Sequence, residues 1–295
     1  MEDQAEGLRE LMRKRNVSTE SVIKPKEPKR TRIITVTSGK GGVGKTNISI
    51  NMAIAYARMG KKVVVMDADL GLANVNVMLN IVPKWNLYHV MRKQKTMKEI
   101  LLETKYGISL VAGVTGISQI ANLSDDERQN FIVELDSLTN ADIIIIDTSA
   151  GVSNNVLDFI AAADDAIIIT TPEPTSITDA YSMAKIIASQ FEDLNIGLKL
   201  VVNQVKSATE ARQVAERMTH IVGQFLNIEM EYLGFIYNDM RVAQAVLDQK
   251  PFIITDHHGK ASICIQHLVD RMEKTELRQK NGFGALFKRL FSRKL

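Results

Sequence analysis

A doubly wound α/β fold, a mostly parallel sheet flanked by helices on both faces, is the architecture encoded in this 295-residue chain. Two observations point there. Short continuous apolar runs, such as Val63-Val64-Val65-Met66 and Ile143-Ile144-Ile145-Ile146, read as strands buried on both faces, because a strand with one wet face alternates apolar and polar residues instead. Stretches with helical character separate most of these runs. Alternating strands and helices build a parallel sheet whose ligands sit at the carboxyl ends of the strands.

The expected strands are 31–37, 62–67, 108–112, 142–147, 166–171, 198–203 and 232–236, and the helices between them include 47–59, 125–138, 175–191 and 207–226. The hydrophobic fraction of 45% suffices for a sizeable core. No internal repeat is visible, so one α/β domain over 31–275 is expected, between an N-terminal segment and linker (1–30) and a C-terminal segment (276–295). No apolar run approaches the roughly twenty residues that span a bilayer. The N-terminus is acidic and then basic, without an apolar signal segment. The single cysteine, Cys264 in Ser262-Ile263-Cys264-Ile265, rules out an intrachain disulfide and reads as a small buried hydrophobe. It also excludes an iron–sulfur cluster held within one chain, which needs several cysteines.

Charge is unevenly spread. Residues 1–32 carry nine Lys/Arg against six Asp/Glu, and residues 271–295 carry eight against two, leaving 33–270 at −6 within a total of +3. An acidic core argues against non-specific nucleic-acid binding, which requires a basic face.

The strand at 31–37 runs into Gly39-Lys40-Gly41-Gly42-Val43-Gly44-Lys45-Thr46 and then into the helix at 47–59. This satisfies the phosphate-loop pattern G-x-x-x-x-G-K-[ST] in the strand–loop–helix setting it requires. Glycines let the backbone turn tightly and aim N–H groups at an anion, and the following helix adds the positive end of its dipole. Lys45 reaches β- and γ-phosphates, and the Thr46 hydroxyl ligates Mg²⁺. Two further strands end in carboxylates beside this loop: Asp67-Ala68-Asp69 after 62–67, and Asp147 after the isoleucine run. A carboxylate delivered by an apolar strand suits Mg²⁺ binding through a coordinated water.

The second lysine, Lys40, makes the loop the deviant form K-G-G-x-G-K-T. With the D-x-D pair and the Asp147 strand, the chain resembles the MinD/ParA class of P-loop ATPases, the SIMIBI type of P-loop NTPase. The resemblance implies an ATP- and Mg²⁺-dependent ATPase that forms an ATP-bridged homodimer, in which Lys40 contacts the nucleotide of the partner. It implies that Asp69 orients the attacking water, that Asp67 supports the Mg²⁺ shell and that Asn74 lies in the switch segment. It places Asn203, after the strand at 198–203, on the adenine edge, with Tyr237 and Asp239 beside the base. Tyr237 stands where the class often has proline. Adenine over guanine rests on the resemblance, and no N-K-x-D run is present.

The ends of the chain refine the resemblance. Phe283, Leu286, Phe287, Leu290 and Phe291 fall on one helical face, with Lys288 and Arg289 flanking it. Such a helix suits an anionic membrane surface, or it docks on the protein's own core or on a partner. Asp3-Gln4-Ala5 with Leu8-Arg9 resembles the D-Q-A-x-x-L-R element that opens the FlhG/FleN (YlxH) branch of the class. That branch implies regulation of flagellar number and placement through an SRP-type GTPase (FlhF), with Asp3, Gln4, Leu8 and Arg9 as the activating element. Flagellar switch components are further partners in this reading, no specific nucleic acid is expected, and the location is cytoplasmic at the inner face of the cell membrane. A MinD-type division-site ATPase and a ParA-type DNA-partitioning ATPase are the alternatives; a tyrosine kinase domain sharing the loop is disfavoured because the C-terminal segment has no tyrosines.

Overall fold

Strand β1 (Arg32–Ser38) occupies the middle of an eight-stranded sheet, between β5 (Ile143–Ala150) and β6 (Asp165–Thr170). β2 (Val63–Ala68) and β4 (Ser109–Val111) extend the sheet beyond β5, and β7 (Gly197–Val205) and β8 (Glu231–Tyr237) extend it beyond β6. These pairings are parallel; a two-residue β3 (Leu102–Glu103) joins β4 antiparallel at the edge. The computed structural model describes residues 30–69, 74–113, 125–191 and 196–275. The residues read as an activating element (Asp3, Gln4, Leu8, Arg9) and as an amphipathic face (Phe283, Leu286, Phe287, Leu290, Phe291) lie outside the described residues.

The isoleucine run shows why these strands read as continuous apolar blocks. Ile143 and Ile145 pack on helices α1 (Lys45–Arg58) and α11 (Lys260–Lys274), whereas Ile144 and Ile146 pack on the opposite layer, with Val90, Met97 and Phe159. All four are at most 2% exposed. The remaining layer on that side comes from α7 (Pro174–Gln190) and α8 (Ala208–Leu226), packed on β6 and β7. Every strand expected from sequence is present within three residues of its expected ends. Cys264 is buried, and burial pushes its thiol pKa up. Among the described residues no helix is long and apolar enough to cross a membrane.

At the amino ends of the strands a charge network crosses the sheet. Arg32 Nε donates to Asp165 Oδ2 at 2.8 Å, Lys199 Nζ lies 3.7 Å from Asp165 Oδ1, and Lys199 also pairs with Glu231. Arg32, Asp165 and Lys199 are each at most 5% exposed. Arg32 Nη1 further donates to the Met272 carbonyl at 2.6 Å, holding the end of α11 against β1. Removing one member of a buried charge set leaves the others uncompensated. Asp165→Ala should therefore destabilise the fold by about 3–5 kcal/mol, read as a lowered midpoint in urea; an unchanged midpoint would show that the network is dispensable.

Candidate nucleotide site

The phosphate loop, residues 39–44, leaves the carboxyl end of β1 and enters α1, a 14-residue helix whose N-cap is Gly44. Gly44 has φ +94°, in the left-handed region that favours glycine, and a Cβ there would sit 2.4 Å from Asn203 Nδ2. Gly39 is needed for closeness instead: a Cβ would lie 2.3 Å from the Asp179 carbonyl oxygen on α7. No side chain caps α1, which suits an anion at its positive end. Val43 turns its side chain into the core, whereas Gly41 and Gly42 are exposed. Val43 can therefore serve a phosphate only through its backbone.

The two loop lysines differ in environment. Lys45 is 8% exposed, and burial lowers its pKa against the raising pull of Asp147 and Asp69. Lys40 sits half-exposed at the rim, where its Nζ donates to Glu173 Oε2 at 2.6 Å and Thr175 Oγ1 at 3.1 Å. Sequence reading missed this pairing, because Glu173 is 133 residues away and no local pattern joins the two.

Below the loop, Asp147 is fully buried and accepts two hydrogen bonds from α1: Thr46 Oγ1 to Oδ2 at 2.7 Å and Ser49 Oγ to Oδ1 at 2.9 Å. Asp67 is its register partner on the adjacent parallel strand β2 and is 1% exposed. Asp67 accepts from the Asp69 N–H at 3.1 Å and the Val75 N–H at 3.2 Å, and Asn74 Nδ2 donates to Asp69 Oδ2 at 3.2 Å. Burial, with the nearby charge of Asp147, raises the Asp67 pKa to about 7. Burial likewise raises Asp147 to about 6, opposed by the Thr46 and Ser49 hydrogen bonds and by Lys45. Two buried carboxyls on facing strand positions suit a dication.

Beside the loop lies a pocket of about 490 Å³, lined by Gly44, Asn203, Tyr237, Asp239, Val242 and Phe252 among others. Asn203 Nδ2 donates to the Val43 carbonyl at 2.7 Å, and its Oδ1 accepts from the Gln204 N–H at 2.8 Å. A side-chain amide has two donors and two lone pairs, so one of each remains for a base edge. The Tyr237 ring meets Phe235 edge-on at 5.1 Å, with Lys260 Nζ 5.6 Å from its centroid. Asp239 caps helix α9 (Met240–Leu247) and pairs with Arg241. The apolar lining from Val242 and Phe252 belongs to short helices outside the expected set.

A family model for the CobQ/CobB/MinD/ParA nucleotide-binding domain matches residues 34–252. The chain belongs to the MinD/ParA family of ATPases. The antiactivator FleN of Pseudomonas aeruginosa is 33% identical over 83% of this chain and 88% of its own length. The flagellum site-determining protein YlxH of Helicobacter pylori is 34% identical over 88% and 90%. The septum site-determining protein MinD of Pyrococcus horikoshii, solved with Mg-ADP, shares the fold with a TM-score of 0.67 and 22% identity over 83% of this chain and 96% of its own.

A MinD/ParA ATPase works on ATP with Mg²⁺, and the residues here fit both. The uncapped helix, buried Lys45 and open loop suit phosphates. Thr46, Asp147 and Asp67 would offer hard oxygens to the metal. Mg²⁺ keeps waters and takes phosphate oxygens, so it needs few protein oxygens.

The raised carboxyl pKa values give a pH prediction for the metal-free, nucleotide-free protein. Unfolded aspartates titrate near 3.9, so between about pH 4 and pH 7 the folded state binds more protons. Stability then falls as pH rises through that window, by at most about 1.4 kcal/mol per pH unit for each group. Asp67→Asn should flatten this fall, measured as the melting temperature from pH 5 to pH 8; an identical slope in variant and wild type would remove Asp67 as its source.

Proposed function

We propose that this chain is an ATP-driven dimerisation switch that regulates the number and placement of flagella. The observation that carries the switch is the position of Lys40 at the rim of the loop, half-exposed and held by Glu173 and Thr175, while Lys45 is buried inside it. A buried lysine serves its own nucleotide; a rim lysine is available to a neighbour's. In the dimer Lys40 leaves Glu173 for the partner's phosphates, where a positive charge stabilises the charge that develops on transfer.

The chain's own groups divide the remaining work. Lys45 and the loop amides hold the β- and γ-phosphates. Thr46, Asp147 and Asp67 hold Mg²⁺, whose charge neutralises phosphate oxygens. Asp69, steadied by Asn74, orients the attacking water. Asn203, Tyr237 and Asp239 border the adenine. Dimerisation doubles the number of C-terminal anchors and turns weak contact with anionic lipid into avidity, placing the protein at the inner face of the cell membrane. Hydrolysis separates the subunits and releases them.

The flagellar role rests on two supports: the Asp3, Gln4, Leu8, Arg9 element, and the similarity to FleN and YlxH over more than four-fifths of the chain. The partner for that element is an SRP-type GTPase. A DNA-partitioning role fits less well, because residues 33–270 are acidic overall.

Asp69→Ala tests the reading. The variant should bind ATP, fail to hydrolyse it and accumulate as a dimer by light scattering. That dimer should sediment with phosphatidylglycerol vesicles, and adding Phe287→Glu should abolish sedimentation while leaving the dimer. Deleting residues 1–20 should spare both properties and remove stimulation of the GTPase. A monomeric Asp69→Ala protein, or one with normal turnover, would contradict the switch; unchanged GTPase stimulation after the deletion would contradict the flagellar assignment.

A further inference from the structure

Among the described residues that line the pocket beside the phosphate loop, Asp239 is the one that carries a charge. Its place is fixed by the chain on both sides. The Asn238 N–H donates to the Val205 carbonyl at 2.9 Å, and Asp239 itself caps α9. Its side chain is only 12% exposed. An ionised carboxylate accepts hydrogen bonds and donates none, so its presence in a purine pocket bears on the choice of base. Guanine offers N1–H and the N2 amino group side by side, two donors that fit the two oxygens of one carboxylate. Adenine offers one amino group at N6 beside a lone pair at N1, which a free carboxylate would repel.

Arg241 takes this carboxylate out of use. Its Nε donates to Asp239 Oδ1 and its Nη2 to Oδ2, each at 3.2 Å. This is the forked pairing that a guanidinium makes with a carboxylate. The Arg241 backbone N–H adds a third bond, to Oδ1 at 3.0 Å. Burial would raise the Asp239 pKa, but the hydrogen bonds and charge of Arg241, with the charge of Lys260, lower it. The carboxylate is therefore ionised and engaged on both oxygens.

The guanidinium is anchored on its far side as well. Arg241 Nη1 reaches Asp256 Oδ2 at 2.8 Å. Asp256 follows the short helix α10 (Phe252–Thr255), and its N–H donates to the Phe252 carbonyl at 2.8 Å. Its carboxylate lies against Gly259, where a Cβ would sit 1.8 Å from Oδ2. Although Arg241 is exposed, it is held between two carboxylates, each fixed by its own backbone.

We propose that Arg241 is a positioning residue that sets the choice of base: by engaging both oxygens of Asp239 it denies guanine its pair of acceptors and lets the pocket receive adenine. Guanine donors that find no acceptor cost affinity, and specificity of this kind comes from refusing the competitor. The inference rests on reading this pocket as the base site. Arg241 acts through Asp239 and does not itself touch the base.

The test is calorimetric binding of ADP and GDP, each with Mg²⁺, to the full chain; diphosphates leave no γ-phosphate to hydrolyse. Wild type should prefer ADP. Arg241→Ala should cut that preference by about tenfold or more, through tighter GDP binding, and its unfolding midpoint should hardly move because the side chain is exposed. Inosine diphosphate, which keeps N1–H and lacks the N2 amino group, should gain less than GDP. Adding Asp239→Asn to Arg241→Ala should remove the GDP gain, since asparagine still caps a helix but has one accepting oxygen. An unchanged preference in Arg241→Ala, or equal losses for ADP and GDP, would overturn the proposal and leave Arg241 as a brace for α9. A wild-type chain that binds neither diphosphate would instead overturn the reading of the pocket, and this inference with it.

Discussion

A single buried carboxylate, Asp147, ties the helix behind the phosphate loop to the sheet. It ends the isoleucine run of β5 and receives the hydroxyls of Thr46 and Ser49, one on each oxygen. The two donors lie on the first turns of α1, so this clamp fixes the helix start, the uncapped N–H groups there and the ammonium of Lys45. The clamp has a cost that Thr46, Ser49 and Lys45 offset only in part. Asp147 and Asp67 sit buried on facing positions of adjacent strands, and burial raises both pKa values. A nucleotide-bound dication held there would offset that cost, so the proposed site would couple the binding of metal and nucleotide.

The loop is braced from two further directions. Asn203, at the end of β7, holds the Val43 carbonyl and fills the space a side chain at Gly44 would need. Glu173, the N-cap of α7, and Thr175, in its first turn, hold Lys40. The first brace is buried and the second is open to solvent. An exposed ion pair contributes about 0–1 kcal/mol, so Lys40 is held loosely enough to be drawn away by a polyphosphate. Rigidity is thus concentrated at the buried part of the loop, and freedom at the residue proposed to reach another subunit.

Much of this was legible in the sequence. Strands buried on both faces announce themselves as unbroken apolar runs, because neither set of alternate residues meets water; Ile143 to Ile146 divide between two core layers for that reason. Asp67, Asp69 and Asp147 were legible because they stand at the carboxyl ends of such runs, and the loop because its glycines and Lys45-Thr46 fill a fixed pattern between strand and helix. Other features depend on residues distant in the chain. Lys40 and Glu173 meet only through the adjacency of β1 and β6, and the Asp165 network joins four strands whose order the sequence does not state. The pocket lining from Val242 and Phe252 comes from helices of eight and four residues, too short to stand out from loops in the sequence. The bond from Asn203 to the Val43 carbonyl is invisible in the sequence, because it requires knowing that β7 ends beside the loop.

The central claim is that Lys40 acts across a subunit boundary while Lys45 acts within its own. It is tested most directly by measuring, on Lys40→Ala, both the ATP dissociation constant and the dimer dissociation constant at saturating ATP. The account predicts ATP affinity within a few-fold of wild type, since Lys45 and the loop amides remain, together with a dimer weakened at least tenfold. A collapse of ATP affinity with a dimer that still forms at saturating ATP would contradict it and assign Lys40 to its own subunit's nucleotide.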